Sequence, residues 1–157
     1  MKFVLIGLAM MLSFHLTAQN NTRRLNRHKE NHQAHGRWIY YYGDSVGKIQ
    51  CAGRYKNGIP VGRWMTYYED GSKYVRTRHF KERAREVRFH PNGKLEKKGW
   101  SKLMLDDPSG IRYYWHGKWK LYDENGKLYR IVLFSEGRVI DVIKNLDPEK
   151  EGIEMTK

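Results

Sequence analysis

Turn signals arrive along most of this chain at short, nearly even intervals, and that constrains its fold more than any other feature. From Gly36 onward they are Asp44-Ser45-Val46-Gly47, Asn57-Gly58, Asp70-Gly71, Lys81-Glu82-Arg83, Asn92-Gly93, Asp106 to Gly110, His116-Gly117, Asn125-Gly126 and Glu136-Gly137. Between them lie RWIYYY, KIQCAGRY, RWMTYY, KYVRTRHF, EVRFH, IRYYW, KWKLY, KLYRIVLF and RVIDVI, runs dominated by aromatic and β-branched residues. Asn-Gly and Asp-Gly favour the tight turns that let a right-twisted hairpin close, because both central residues need positive φ. Short strands at this spacing predict antiparallel β structure, and no window carries a sustained, capped helical period. The expected fold is all-β.

The runs also repeat a phrase. HGRWIYYYGDSVGKI (35–49), VGRWMTYYEDGSKYV (61–75) and HGKWKLYDENGKLYRI (116–131) share glycine, a cation, tryptophan, tyrosine, a turn and Lys-apolar. Gly36 to Gly62 is a step of 26 residues, and Gly47, Gly71 and Gly93 are 24 and 22 apart. A period in the twenties holding two strands and two turns is a hairpin repeat. From Gly93 to Gly126 the step is 33, which predicts an insertion that includes LMLDDPSG, 103–110. His116-Gly117 reads either as a turn joining RYYW to KWKLY or as the start of a repeat, and sequence likeness favours the second. Strand alternation turns Trp64, Thr66 and Tyr68 to one face, with Trp38, Tyr40 and Tyr42, and Trp119 and Leu121, as their counterparts. One hairpin cannot bury such a face, whereas hairpins laid side by side can.

The segment GRYKNGIPVGRWMTYYEDGSKYV resembles the variant MORN repeat. Bacterial proteins built of it are often grouped as YwqK-like and labelled antitoxin-like. The likeness covers roughly Gly36 to Gly137 and weakens in FKERAREVRFHPNGKLEKKGW. The resemblance implies an elongated antiparallel sheet of successive hairpins serving as an interaction scaffold. It brings no catalytic residues. The antitoxin label fits an exported chain only as immunity against a toxin outside the cytoplasm.

Export is expected from MKFVLIGLAMMLSFHLTAQ: a positive start at Lys2, an apolar run at Phe3–Leu12 and small residues at Thr17 and Ala18. This is the layout of a secretory signal peptide cut near Ala18-Gln19, giving a periplasmic or secreted protein; an uncleaved anchor is the alternative. The remaining organisation is a polar, basic lead-in at 19–35, expected to be disordered or loosely helical, a repeat domain at 36–144 and a tail at 145–157. The single cysteine, Cys51, excludes an internal disulfide framework and reads as a small apolar side chain in a strand.

The formal net charge is +13, which favours anionic surfaces such as glycans or lipid headgroups. The constellation expected to bind is the aromatic and basic interleave: Arg37, Trp38, Tyr40, Tyr42, Arg63, Trp64, Tyr68, Lys118, Trp119 and Tyr122. An aromatic strip with flanking cations suits sugar rings or headgroups; the competing reading makes the indoles the core between repeats. His28, His32 and His35 sit in a polar segment with no carboxylate or thiol to complete a site, so no metal is expected. Asp106-Asp107 lies in DDPSG, a turn composition. No G-x-S-x-G elbow, phosphate loop or paired-cysteine motif is present, so neither enzymatic activity nor a cofactor is expected. A protein partner, taken along the sheet face or a free edge, is expected first. An anionic envelope glycan or membrane surface is the alternative, and nucleic acid is set aside for want of any recognisable motif.

Overall fold

A computed structural model describes residues 25–43, 47–104 and 112–147. Ten strands form one sheet in sequence order, every neighbour antiparallel. They are β1 (Arg27–His28), β2 (Ala34–Tyr41), β3 (Ile49–Lys56), β4 (Ile59–Tyr67), β5 (Lys73–His79), β6 (Arg83–Phe89), β7 (Leu95–Met104), β8 (Arg112–Tyr122), β9 (Leu128–Ser135) and β10 (Arg138–Asn145). The all-β hairpin meander read from the turn spacing is the fold.

The connections are of two kinds. Tyr68–Ser72, His90–Lys94 and Asp123–Lys127 are five-residue turns in which the first N–H donates to the fifth carbonyl. Inside them Asp70, Asn92 and Asp123 accept backbone N–H bonds from Ser72, Lys94 and Lys127, so the short polar side chain shapes the turn. At the opposite strand ends lie two-residue turns. Asn57-Gly58 and Glu136-Gly137 place both residues at positive φ, the geometry that matches strand twist.

Two expectations are corrected, and an open alternative is resolved. Within the lead-in expected to be disordered, β1 pairs with the start of β2, whose first residues Ala34 and His35 also belong to it, and Leu25 bridges to Arg37. The Asn26 side chain brackets the backbone of Ile39, accepting from its N–H at 2.7 Å and donating to its carbonyl at 2.8 Å, and His28 sits edge-on to Trp38 at 4.9 Å. Few apolar residues are needed when a ready sheet edge supplies the partners. Second, LEKKGWSKLM was not among the expected strands, yet it is the central strand β7, paired with β6 and β8. Its lysines lower its intrinsic β-propensity, and pairing on both edges overrides that. Of the two readings of His116-Gly117, the repeat start favoured by sequence likeness holds and the turn does not. The pair lies inside the continuous strand β8, where Gly117 (φ 72°) stands at the level of a bulge, as Gly62 (φ 67°) does in β4. The glycine of the repeated phrase is therefore a bulge residue within a strand rather than the end of a connection. The signal segment, the insertion around 105–110 with Asp106-Asp107, and the tail beyond Asp147 lie outside the described residues.

The core sits at the C-terminal end of the sheet, where Trp115, Trp119, Leu121, Tyr129, Val132 and Phe134 pack together. Trp119 and Val132 are fully buried. Trp115 and Trp119 lie at 4.4 Å between ring centroids, with Phe134 edge-on to Trp115 at 5.1 Å.

Candidate functional site: a cationic face opposite an aromatic one

Alternation and register divide the side chains between two faces. On the aromatic face, Trp38 stands opposite Gly53, Trp64 opposite Thr77, Thr77 opposite Glu86, Glu86 opposite Gly99, and Trp119 opposite Val132. Two indoles repeat one contact. Trp64 lies over Gly53 and donates from Nε1 to the Arg54 carbonyl at 3.2 Å; Trp119 lies over Gly99 and donates to the Trp100 carbonyl at 3.0 Å. A Cβ at Gly53 would come within 2.0 Å of the Trp64 ring, so glycine is required there for close approach. In the copy where the phrase decays, Glu86 takes the tryptophan position. It accepts from Arg88 at 2.5 Å, and Arg88 lies over Trp115 at 5.2 Å. Burial works against the Arg88 charge, Glu86 more than offsets it, and the guanidinium is held above its usual range.

Hydroxyls tie one repeat to the next at the strand ends. Tyr42 donates to the Tyr67 carbonyl at 2.6 Å and Tyr68 to the Phe89 carbonyl at 3.0 Å, while His90 Nε2 lies 3.0 Å from the Tyr122 carbonyl. A ring ladder runs from Trp38 through Tyr55, Trp64 and His79 to Tyr113. Burial pushes the His79 imidazole down to about 4 and the Tyr55 and Cys51 groups up.

The other face is cationic. Arg37 stands opposite Arg54, Arg63 opposite Arg78, and Arg78 opposite Arg85. Arg85 is followed in the same row by Trp100 and then His116. A second row runs Met65, Arg76, Val87, Lys98, Lys120. Strands β2–β9 contain two carboxylates, Glu86 and Glu96, and these bond to Arg88 and Lys97. The rows enclose a groove of about 540 Å³ lined by Arg63, Arg76, Arg78, Arg85 and Lys98, with Val87, Phe89 and Leu95 as its apolar floor.

The ten residues expected to bind are therefore not gathered into one site. Trp38, Tyr40, Trp64 and Trp119 belong to the aromatic face, and Trp38 and Trp119 are buried in it. Tyr42 and Tyr68 are spent on backbone carbonyls. Arg37, Arg63 and Lys118 turn to the cationic face, and Tyr122 lies under Lys98 at 5.2 Å. A cation next to an indole in sequence is on the opposite side of the sheet from it. Arg54, Arg76, Arg78, Arg85, Lys98 and Trp100 were missed, because their convergence depends on register. Among the described residues, no three His, Cys, Asp or Glu side chains stand close enough to hold a metal ion.

One face filled by ring-on-glycine contacts and the other left to charged side chains define a repeat-built β scaffold. Residues 115–136 match the family model of the MORN repeat variant, and this segment holds all six residues of the buried cluster. No curated protein and no solved structure matches the chain.

Proposed function

We propose that this chain is a non-catalytic binding module of MORN-type repeats, acting outside the cytoplasm after loss of residues 1–18, and that it holds an acidic partner against its cationic face. The observation that carries this reading is the arginine row. Like charges placed directly opposite across strands are destabilising, and here Arg63, Arg78 and Arg85 stand so on three adjacent strands, where the nearest in-strand carboxylates bond elsewhere. A partner that supplies the missing negative charge accounts for the arrangement.

A second reading, a protein partner at the free edge, is favoured by β10. Val139, Ile140, Val142 and Ile143 are all exposed there, and its outer edge has no pairing strand among the described residues. Pulldowns from cell-envelope extract with the purified chain, at low and high salt, separate the two. A partner held by many cations is released as salt rises and is lost from an Arg63→Gln/Arg78→Gln/Arg85→Gln variant. A partner that persists at high salt and is lost from Val142→Lys/Ile143→Lys supports the edge instead.

A further inference from the structure

The geometry points to a linear anionic polysaccharide as the occupant of the cationic face, its acidic groups on the arginine row and one sugar ring on Trp100. This rests on the reading that the cationic face is the working face, and it narrows the partner to one chemistry.

The row is linear and stepped. Arg37, Arg54, Arg63, Arg78 and Arg85 come one from each of five consecutive strands, β2 to β6. Adjacent strands are about 4.8 Å apart, so the row runs about 19 Å across the sheet, with one jog at the bulge between β3 and β4. Such a track suits an extended polymer with charge at intervals better than one compact anion. Arg78 of the row and its neighbours Arg76 and Arg83 are also held by rings. Arg76 lies over Phe89 at 5.9 Å, Arg78 over Phe80 at 5.4 Å and Arg83 over Trp100 at 4.4 Å. A ring covering one face of a planar guanidinium leaves its N–H edge for paired bonds to carboxylate or sulfate.

The row ends on a platform suited to a sugar. Trp100 is the tryptophan that the register turns to this face; Trp38, Trp64, Trp115 and Trp119 lie on the other. Phe80 lies 5.7 Å from it, and beside it is a hollow of about 310 Å³ lined by Glu82, Arg83, Trp100, Lys102 and His116. Arg83 covers part of the half-exposed indole; the part left uncovered offers a flat apolar surface to the C–H face of a pyranose, while the surrounding polar groups meet its hydroxyls. Single-stranded nucleic acid would call for aromatic side chains under successive bases; of the rings described on this face, Phe89 and Tyr122 lie under Arg76 and Lys98, apart from the paired Phe80 and Trp100. A bilayer would call for a cluster of projecting apolar side chains, whereas here Phe80 is exposed but lies under Arg78, and Val87 on the groove floor is buried.

Titration calorimetry on the full chain tests the assignment, using alginate oligomers (uronate) and dextran sulfate oligomers of graded length. Neutral dextran, polyglutamate, a single-stranded DNA oligonucleotide and phosphatidylglycerol vesicles serve as comparisons. The expected result is affinity for the acidic saccharides that rises with length until the oligomer spans the row. Arg63→Gln/Arg78→Gln/Arg85→Gln lowers it about thirtyfold, as three part-exposed ion pairs would, and Trp100→Ala about tenfold. Both variants keep the far-UV circular dichroism of the parent, since the exposed arginines carry no core contact and Trp119 bonds the Trp100 backbone. Polyglutamate, DNA or vesicles bound as tightly as the saccharides, or full affinity in Trp100→Ala, overturns the polysaccharide while leaving an acidic partner in place. Binding to none of these polyanions, together with a pulldown unchanged by the triple variant, overturns both.

Discussion

Replacing Gly99 by Ala measures how much of the stability depends on indoles lying directly on strand backbone. A Cβ at Gly99 would stand 2.3 Å from Cδ2 of Trp119 and 2.4 Å from Cε2 and Cγ. Ordinary carbon contacts lie at about 3.5–4.0 Å, so the ring must move by more than about 1 Å. It has little room, because Trp119 is fully buried, stacks on Trp115 at 4.4 Å and is tethered to the Trp100 carbonyl at 3.0 Å. Overpacking a filled core costs about 1–3 kcal/mol, and complete expulsion of the indole sets a ceiling of about 3–5 kcal/mol. Gly99 has ordinary strand φ, so Ala gains roughly 0.4–1 kcal/mol from a less flexible unfolded chain. With no room for the ring to retreat, the cost falls towards that ceiling, about 3–5 kcal/mol, and the net expected loss is about 2–4 kcal/mol. Gly53→Ala makes the same clash at 2.0 Å, but against Trp64, which is half-exposed and can swing outward, so about 1 kcal/mol is expected there. Urea denaturation followed by circular dichroism gives both values, and amide exchange should quicken in β7–β9 but not in β2–β4, since repeats stabilise their neighbours. A Gly99→Ala loss below about 1 kcal/mol, or a Gly53→Ala loss as large as that of Gly99→Ala, would refute the ring-on-glycine account.

Trp64→Ala should cost about 2–3 kcal/mol in urea denaturation, the lower part of the range for large aromatic deletions because the ring is only half-buried; unchanged stability would assign that indole to a ligand instead. Lowering pH should destabilise the protein through His79. Its folded value of about 4 lies below the unfolded 6.5, so the unfolded chain takes up the proton first; stability from the neutral ring is complete above about 6.5 and is lost as pH falls towards 4. Part exposure reduces that loss to roughly 1–2 kcal/mol. Denaturation midpoints of His79→Phe should fall less between pH 7 and pH 5 than those of the parent, and parallel curves would refute the assignment. Arg78→Gln should raise stability by about 0.5 kcal/mol at low salt, relief from Arg63 and Arg85 outweighing the lost Phe80 contact, and the gain should vanish near 1 M salt. A gain that survives salt would have another cause. Cys51, whose thiol is pushed up by burial, should react with alkylating reagents far more slowly folded than in urea.

The parts of the fold legible in the sequence are those with local causes. Asn57-Gly58 and the Asp70, Asn92 and Asp123 turns close by their own backbone geometry, and the aromatic runs between them favour extended chain; turn and strand preferences agree, so the meander can be read directly. Lys-rich β7 escaped because nothing in LEKKGWSKLM favours a strand except the two strands beside it. The lead-in escaped for a similar reason, since Asn26 is held by Ile39, thirteen residues away.

Sequence alone determined the repeat, the antiparallel class, the cationic excess and the pairing of a tryptophan with a preceding cation. Tertiary structure decided what each was for. Two-residue alternation sends neighbours such as Arg63 and Trp64 to opposite faces, and cross-strand register then sorts them into company. Trp64 comes to rest on Gly53, eleven positions earlier, while Arg63 meets Arg78, fifteen positions later. Register is set jointly by turns, bulges and the burial of rings on glycine, interactions between strands that no single stretch of chain contains.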